Sequence, residues 1–413
     1  MEGFFTRKQT ESINAGAGGR VYTCAGCGLY RHCESPRMKP YGEFKKGIAC
    51  VGEAPGQVED ERGRPWQGKA GRLLQRTLRK YGVDLFRDCI TLNAVNCRPP
   101  DNRTPTPEEI NHCRSVRTWK ALQQYQPRVI ILLGSAAVES VIGHRWSGSR
   151  SDNLAKWRGW TIPDQDLKAW VCPTYHPSYL ERSGQRRELM TLWEGDLDRA
   201  LEKVKEPWPR SAEPEIEIVD DLSFLDSVAG SSGLMSFDYE TTAIKPHAPG
   251  HRIRAAAIAS RPDHCWAFLM PRTKAGRAPL RRWLKNREVA KMAHNIKFEH
   301  AWSYNILKVQ VRGWEWDSML AAHLLDNRPG ISGLKFQTYV NFGVVDYSSD
   351  VDQYLRSAPN APEGGNAPNR IDKLLKQPSG PDKVLRYVGL DAVYEYRLAL
   401  RQMERLGWDF LPF

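Results

Sequence analysis

Apolar residues fall along this chain in two recurring patterns. Short continuous runs read as buried strands, and stretches with apolar positions every three or four residues read as helices. In the first half, "GIACVGEAP" predicts a strand ending at Gly52, and "KAGRLLQRTLRKYG" a helix stopped by Gly82. "DCITLNAV" follows as a strand, "TPEEINHCRSVRTWKALQQY" as a helix, "RVIILLG" as a strand and "SAAVESVIG" as a helix. Strands alternating with helices in this way predict a parallel α/β sheet. In the second half "GLMSFDYET" is a strand, and "IRAAAIAS" and "HCWAFLMP" continue it antiparallel. "APLRRWLKN", "IKFEHAWSYNIL" and "SMLAAHLLD" read as helices, and a long helix runs from about Asp382 to Leu406.

The segment "VKEPWPRSAEPEIEIVDD", rich in Pro and Glu, marks a domain boundary. We expect domains at 1–205 and 216–413, joined by a linker at 206–215. "YLRSAPNAPEGGNAPNR" reads as a loop or insertion from its Pro, Gly and Asn content. No internal repeat is visible, so the halves are expected to be different folds. The length of 413 residues suits two or three domains. No apolar run is long enough to span a membrane, and "MEGFFTRKQTESINAGAGG" lacks the apolar core of a secretory signal. A soluble, cytoplasmic protein is the expectation. The net charge of +12 favours a polyanionic partner without identifying it.

Of the 9 cysteines, only Cys265 lies in the second half. An odd number with this asymmetry argues against a disulfide framework and for a metal or cluster confined to the first half. Cys24 and Cys27 form C-x2-C, and Cys97 and Cys113 form C-x15-C. Four thiolates suit zinc or an iron–sulfur cluster equally. Buried unligated thiols and a catalytic dithiol are the alternatives, the latter without a thioredoxin-like strand before Cys24.

These cysteines, with "GEAPGQVEDERGRPWQGKAGRLL", "NAVNCRPPDNRTPTPEE" and "HPSYL" in that order, resemble the family 4 uracil-DNA glycosylases over roughly residues 20–200. The resemblance implies a [4Fe–4S] cluster on Cys24, Cys27, Cys97 and Cys113, with Cys33 left to local packing. It implies that the loop after Cys97 presents Arg98 and Arg103 to DNA phosphates. It places Glu53 in the water and sugar-cation region, and His176 as a donor to the uracil oxygen as charge develops. It gives Asn93 to the pyrimidine edge and Trp66 to stacking on the base, where the family usually has phenylalanine. Ala54 stands where another glycosylase family carries a catalytic aspartate, which favours cation stabilisation over direct base catalysis. Glu59 and Asp60 read as loop structure. Read from residue type alone, His176 is also a helix-start histidine and Asn93 a strand-end turn residue.

"FDYET" puts Asp238 and Glu240 on one face of a strand, and "YVGLDA" puts Tyr387 and Asp391 on one face of a helix. "AHNIKFEHAW" adds Glu299. Four carboxylates on separate elements suit two divalent metals; an exposed acidic strand face is the alternative. Order and spacing resemble the 3′–5′ exonuclease domain of family A DNA polymerases over about residues 216–405. The resemblance makes Asp238, Glu240, Glu299 and Asp391 ligands of two Mg²⁺ or Mn²⁺ ions. Tyr387 becomes the water-orienting tyrosine, and Asp317 a helix N-cap. Glu299 departs from the usual aspartate.

The expected fold is thus α/β: a uracil-DNA glycosylase-like parallel-sheet domain, then a ribonuclease H-like DEDD exonuclease domain. The expected function is bifunctional: uracil excision, and metal-dependent degradation of DNA from its 3′ end. The expected partners are uracil-containing DNA, DNA 3′ ends and a replication polymerase. The alternatives are a modified-base or DNA-binding protein with only the exonuclease active, the leading part of a family A polymerase, and a redox enzyme built on the cluster.

Overall fold

The computed structural model describes residues 24–146, 154–228, 233–345, 347–357 and 366–408. The chain divides into two compact units, Met1–Ser211 with Tyr339–Asp346, and Ala212–Thr338 with Tyr347–Phe413. Among the described residues no helix is long and apolar enough to cross a membrane. The N-terminal segment read for a signal, and the middle of the Pro/Gly/Asn-rich loop, lie outside the described residues.

The first unit is built on strands β1 (Ile48–Gly52), β2 (Cys89–Asn93), β3 (Val129–Leu133), β4 (Ile162–Asp164) and β5 (Ala169–Thr174). They lie in the order β2-β1-β3-β5-β4. All pairs are parallel except β4 with β5. Every residue of β1, β2 and β3 is buried, as expected of parallel strands covered on both faces. Helices α1 (Gln57–Arg62), α2 (Lys69–Lys80), α3 (Pro107–Cys113), α4 (Ser135–Val141), α5 (Pro177–Arg182) and α6 (Arg187–Glu202) belong to this unit. Leu73, Leu74 and Leu78 of α2 and Trp193 and Leu197 of α6 pack against Ile48, Val129 and Ile131. The start of α3 is fixed by a capping box between Thr106 and Glu109. The single helix expected from 106 to 125 is broken by a π-helical stretch at Arg114–Thr118.

The second unit holds β6 (Glu215–Ile218), β7 (Leu234–Thr241), β8 (Ile253–Arg261), β9 (His264–Leu269), β10 (Ala290–Ala293) and β11 (Trp314–Asp317). Their order is β11-β10-β7-β8-β9-β6. β7, β8 and β9 form an antiparallel meander, while β10, β11 and β6 join in parallel. The edge strand β6 starts inside the segment read as a linker. Its "EIEI" alternation is a strand signal that the Pro-rich surroundings mask. Helices α7 (Ala278–Lys285), α8 (Ile296–Trp302), α9 (Ser318–Leu325) and α11 (Gly380–Leu406) belong to this unit, as does the first half of α10 (Leu334–Phe342). One face of β8 is Ala255, Ala257 and Ala259, and α11 lies on it through Val384, Val388 and Ala392. Small side chains there let the helix approach closely. At Gly389 a Cβ would stand 2.8 Å from Ile216 Cγ2 and 3.1 Å from Cys265 Sγ.

In α2, a Cβ on Gly71 would lie 2.1 Å from the Trp66 carbonyl oxygen. Gly71→Ala is therefore expected to destabilise the first unit by about 1–3 kcal/mol through overpacking. Urea denaturation of the full chain measures this, and an unchanged midpoint contradicts it.

Candidate functional sites

Because β1, β2, β3 and β5 are parallel, the loops that follow them gather at one edge of the sheet. Glu53 follows β1, Asn93 ends β2 and His176 stands two residues beyond β5. All three line one cleft of about 420 Å³, together with Ala54, Trp66, Arg103 and Arg182. A Cβ on Gly52 would sit 2.5 Å from Asn93 Oδ1 and 2.8 Å from Trp66 Cζ2. The missing side chain is what lets carboxamide and indole converge. Trp66 itself has φ 58°, a left-handed conformation that bulky residues avoid. Its carbonyl accepts from Gln75 Nε2 at 3.0 Å. Glu59 accepts from the next two backbone N–H groups, Gln67 and Gly68, at 2.9 and 2.8 Å. Glu59 thus acts as loop structure, and so does Asp60, which accepts from Glu34 N and Ser35 N at 3.1 and 2.8 Å.

His176 caps α5, its Nδ1 accepting from Ser178 N at 3.2 Å. In the neutral ring this leaves the proton on Nε2. Burial, aided by the Arg182 charge, pulls the imidazole down to about 4, so it is neutral at physiological pH. Burial pushes the Glu53 carboxyl above its ordinary value, and Arg182 opposes that. The Trp66 and His176 rings stack with centroids 5.5 Å apart and planes at 26°. Arg98 is engaged within its own loop and Arg103 with the start of α3. Arg98 Nε donates to Asn102 Oδ1 at 2.7 Å. Arg103 grips Glu109 with two bonds of 2.9 and 2.6 Å. Arg182 was missed in the sequence because one arginine in a helix carries no pattern.

Cys24, Cys27, Cys97 and Cys113 line one very small pocket with Asn96 and Arg117. Three of the sulfurs receive N–H groups. Arg37 N donates to Cys97 at 3.2 Å, Asn96 N and Nδ2 each to Cys113 at 3.2 Å, and Arg117 Nε to Cys24 at 3.5 Å. Burial pushes the Cys97 and Cys113 thiols up to about 12 and 11. Donors aimed at sulfur favour thiolates, whereas burial without a metal opposes them. Among the described residues these sulfurs do not form a group with metal-ligand spacing; the group that does is Asp238, Glu240 and Asp391. Cys33 packs in the apolar cluster around Cys97 and Cys113.

In the second unit β7 and α11 bring Asp238, Glu240 and Asp391 together, one oxygen of each within 4.8 Å of the others. Phe237 and Tyr239 point to the opposite face, into the core. Glu299 of α8 is buried, its Oε2 without a hydrogen-bond partner. It stands outside that closest trio, yet the Asp238 charge acts on it. Burial first, and the neighbouring carboxylates second, hold Asp238, Glu240 and Glu299 well above the ordinary carboxyl range. A bound divalent cation would relieve both causes. Tyr387 lies one helical turn before Asp391 on α11. Asp317 caps α9 by accepting from Met319 N and Leu320 N at 3.0 and 3.1 Å. It also accepts from Asn295 N and Ile296 N at 3.2 and 3.0 Å, pinning the start of α8.

Three residues here were not read from the sequence. Lys335 Nζ donates to Asp391 Oδ1, and Tyr347 OH donates to the same oxygen at 2.5 Å. Glu395, wholly buried, lies one turn beyond Asp391. Its spacing could have flagged it; Lys335 lies in "GISGLKFQTYV", which resembles the exonuclease family's region after the preceding helix, but no spacing ties it or Tyr347 to α11.

Residues 39–197 match the uracil DNA glycosylase superfamily. A type-4 uracil-DNA glycosylase of Pyrobaculum aerophilum is 34% identical over 195 residues, 45% of this chain and 95% of that protein. A DNA polymerase of Bacillus phage SP01 is 23% identical over 320 residues, 70% of this chain and 34% of the polymerase. Among solved structures, Brucella melitensis NrnC with bound Mg²⁺ is similar over 48% of this chain and 83% of its own, at 18% identity and a TM-score of 0.32. Both units are α/β, as expected from the sequence, and the first carries the glycosylase-like sheet.

Proposed function

Because the chain belongs, through residues 39–197, to the type-4 uracil-DNA glycosylases, we propose that its first unit excises uracil from DNA and its second unit hydrolyses DNA from the 3′ end. The observation that carries the first half is the meeting of Glu53, Asn93 and His176 in one cleft at the carboxyl edge of the sheet. A flipped nucleotide entering there meets the Asn93 carboxamide, which can pair with both O4 and N3–H of uracil. The neutral His176 Nε2–H donates to the base oxygen as the N-glycosidic bond breaks. Glu53 stabilises the sugar cation that is left. Trp66 supplies the stacking surface. Arg98 and Arg103 are the phosphate contacts, exchanging their present partners for DNA.

His176→Ala is expected to cut excision by roughly 10²–10³-fold, as for removal of one oxyanion donor. The pH profile separates the two groups. Glu53 acts ionised, and burial holds its carboxyl above the ordinary value. Its function is lost as pH falls through that raised value, before His176 gains a proton near 4. Single-turnover excision in EDTA should therefore show an acid limb above the ordinary carboxyl range that persists, on a lower plateau, in His176→Ala. No release of uracil by excess enzyme from either single- or double-stranded DNA overturns the reading.

The four cysteines would hold a [4Fe–4S] cluster in a structural role, joining the loop after Cys97 to the N-terminal segment. Protein purified without oxygen should be brown, with about four irons and four sulfides per chain. Stoichiometric zinc without sulfide contradicts this.

In the second unit Asp238, Glu240 and Asp391, with Glu299, would hold two Mg²⁺ or Mn²⁺ ions. When bound, such ions supply Lewis acidity toward a phosphodiester. Tyr387 would orient the attacking water from the helix that carries Asp391. Similarity to a phage DNA polymerase supports a place beside replication, with a polymerase as partner. Asp238→Asn should abolish metal-dependent shortening of a 5′-labelled strand and leave excision intact. Wild-type protein that shortens nothing with either metal defeats the nuclease reading.

A further inference from the structure

Resting on the reading of the second unit's carboxylates as a metal site, we propose that Lys335 is its resident counter-ion. A divalent cation must displace it from Asp391, and this sets a threshold for metal loading. The Nζ of Lys335 donates to Asp391 Oδ1, the oxygen that also accepts from Tyr347 OH at 2.5 Å. A carboxylate oxygen has two lone pairs, so both are taken and a metal cannot use that oxygen while the two donors stay. The ammonium is held from the side as well. It lies 3.9 Å from the centroid of the Tyr347 ring and 4.1 Å from that of Tyr387, a cation–π seat on two faces. Asp238 and Glu240 feel the same charge. Lys335 therefore sits where a cation is wanted, held by the groups that a dication would claim.

The lysine is also able to leave. Its side chain is 27% exposed, against 9% for Asp391, and a four-carbon stem can carry the ammonium out to water. Tyr347 is placed differently: its ring packs against both Tyr387 and Tyr394, so it remains as the fixed donor to Asp391. The arrangement predicts competition: the lysine steadies the metal-free site and weakens the metal-bound one. A lysine that merely braced the ligands would strengthen both.

The test measures Mn²⁺ binding to the metal-stripped full chain by calorimetry, with manganese electron paramagnetic resonance to count bound ions. Lys335→Met, and Lys335→Gln as a second neutral variant, should bind Mn²⁺ more tightly, on the order of tenfold, the loss of one close competing charge. Lys335→Arg, which keeps the charge, should stay near wild type. Without metal the neutral variants should melt below wild type, and saturating Mn²⁺ should close the gap. Equal or weaker Mn²⁺ binding by folded neutral variants overturns the proposal. Asp238→Asn, alone and combined with Lys335→Met, separates the two readings. If it removes the binding, the carboxylates are the metal site and only the lysine's role is being judged. If it leaves the titration unchanged, the metal-site reading fails and the proposal falls with it.

Discussion

The repulsion among Asp238, Glu240 and Asp391 governs the design of the second unit. Like charges within 4.8 Å of one another in a mostly buried place raise the free energy of the folded chain. The surrounding packing must outweigh that. It does so by pressing α11 onto the alanine face of β8, with Gly389 against Ile216 and Cys265. The helix cannot retreat to relieve the carboxylates without opening this apolar contact. Burial on one side of the sheet thus holds in place an electrostatic arrangement that would otherwise spread apart.

The first unit meets a related problem with fewer charges. Its cleft needs a flat ring, an amide and an imidazole close together at the end of a sheet. Gly52 makes room for Trp66 and Asn93, and Gly71 makes room for the Trp66 backbone. The loop bearing Trp66 is then held by Glu59 through two consecutive N–H groups. Hydrogen bonds to backbone set the position, and absent side chains set the spacing. The cysteine pocket follows the same economy, since backbone N–H groups of Arg37 and Asn96 point at sulfur.

Much of this was legible because it is periodic. The buried runs of β1 and β3, the face of α2, the same-face pair in "FDYET" and the four-residue step from Tyr387 to Asp391 are local signals that folding preserves. What escaped was non-local or lacked a period. Lys335 and Tyr347 reach Asp391 from distant stretches of chain, and no spacing rule links them. Arg182 enters the cleft from the end of a short helix whose start, not its end, carried the signal. β6 was hidden by prolines around its alternating "EIEI". The π-helical stretch at Arg114–Thr118 was invisible because one extra residue per turn leaves a helix-like apolar pattern almost unchanged. Trp66 and Glu299 could be named from the sequence, but the ring stacked on His176 and the carboxylate standing apart from the trio appear only in three dimensions.

The bond set of Asp317 has a mechanical meaning. One carboxylate receives four backbone N–H groups, two from the start of α8 and two from the start of α9. It works as a rivet through two struts. With α8 fixed at that point, the helix cannot slide to change how far residue 299 extends. Reach can be adjusted only by the length of the side chain there, and glutamate is the longer of the two acids. The added methylene brings one more freely turning joint, so this carboxylate gains span at the expense of stiffness.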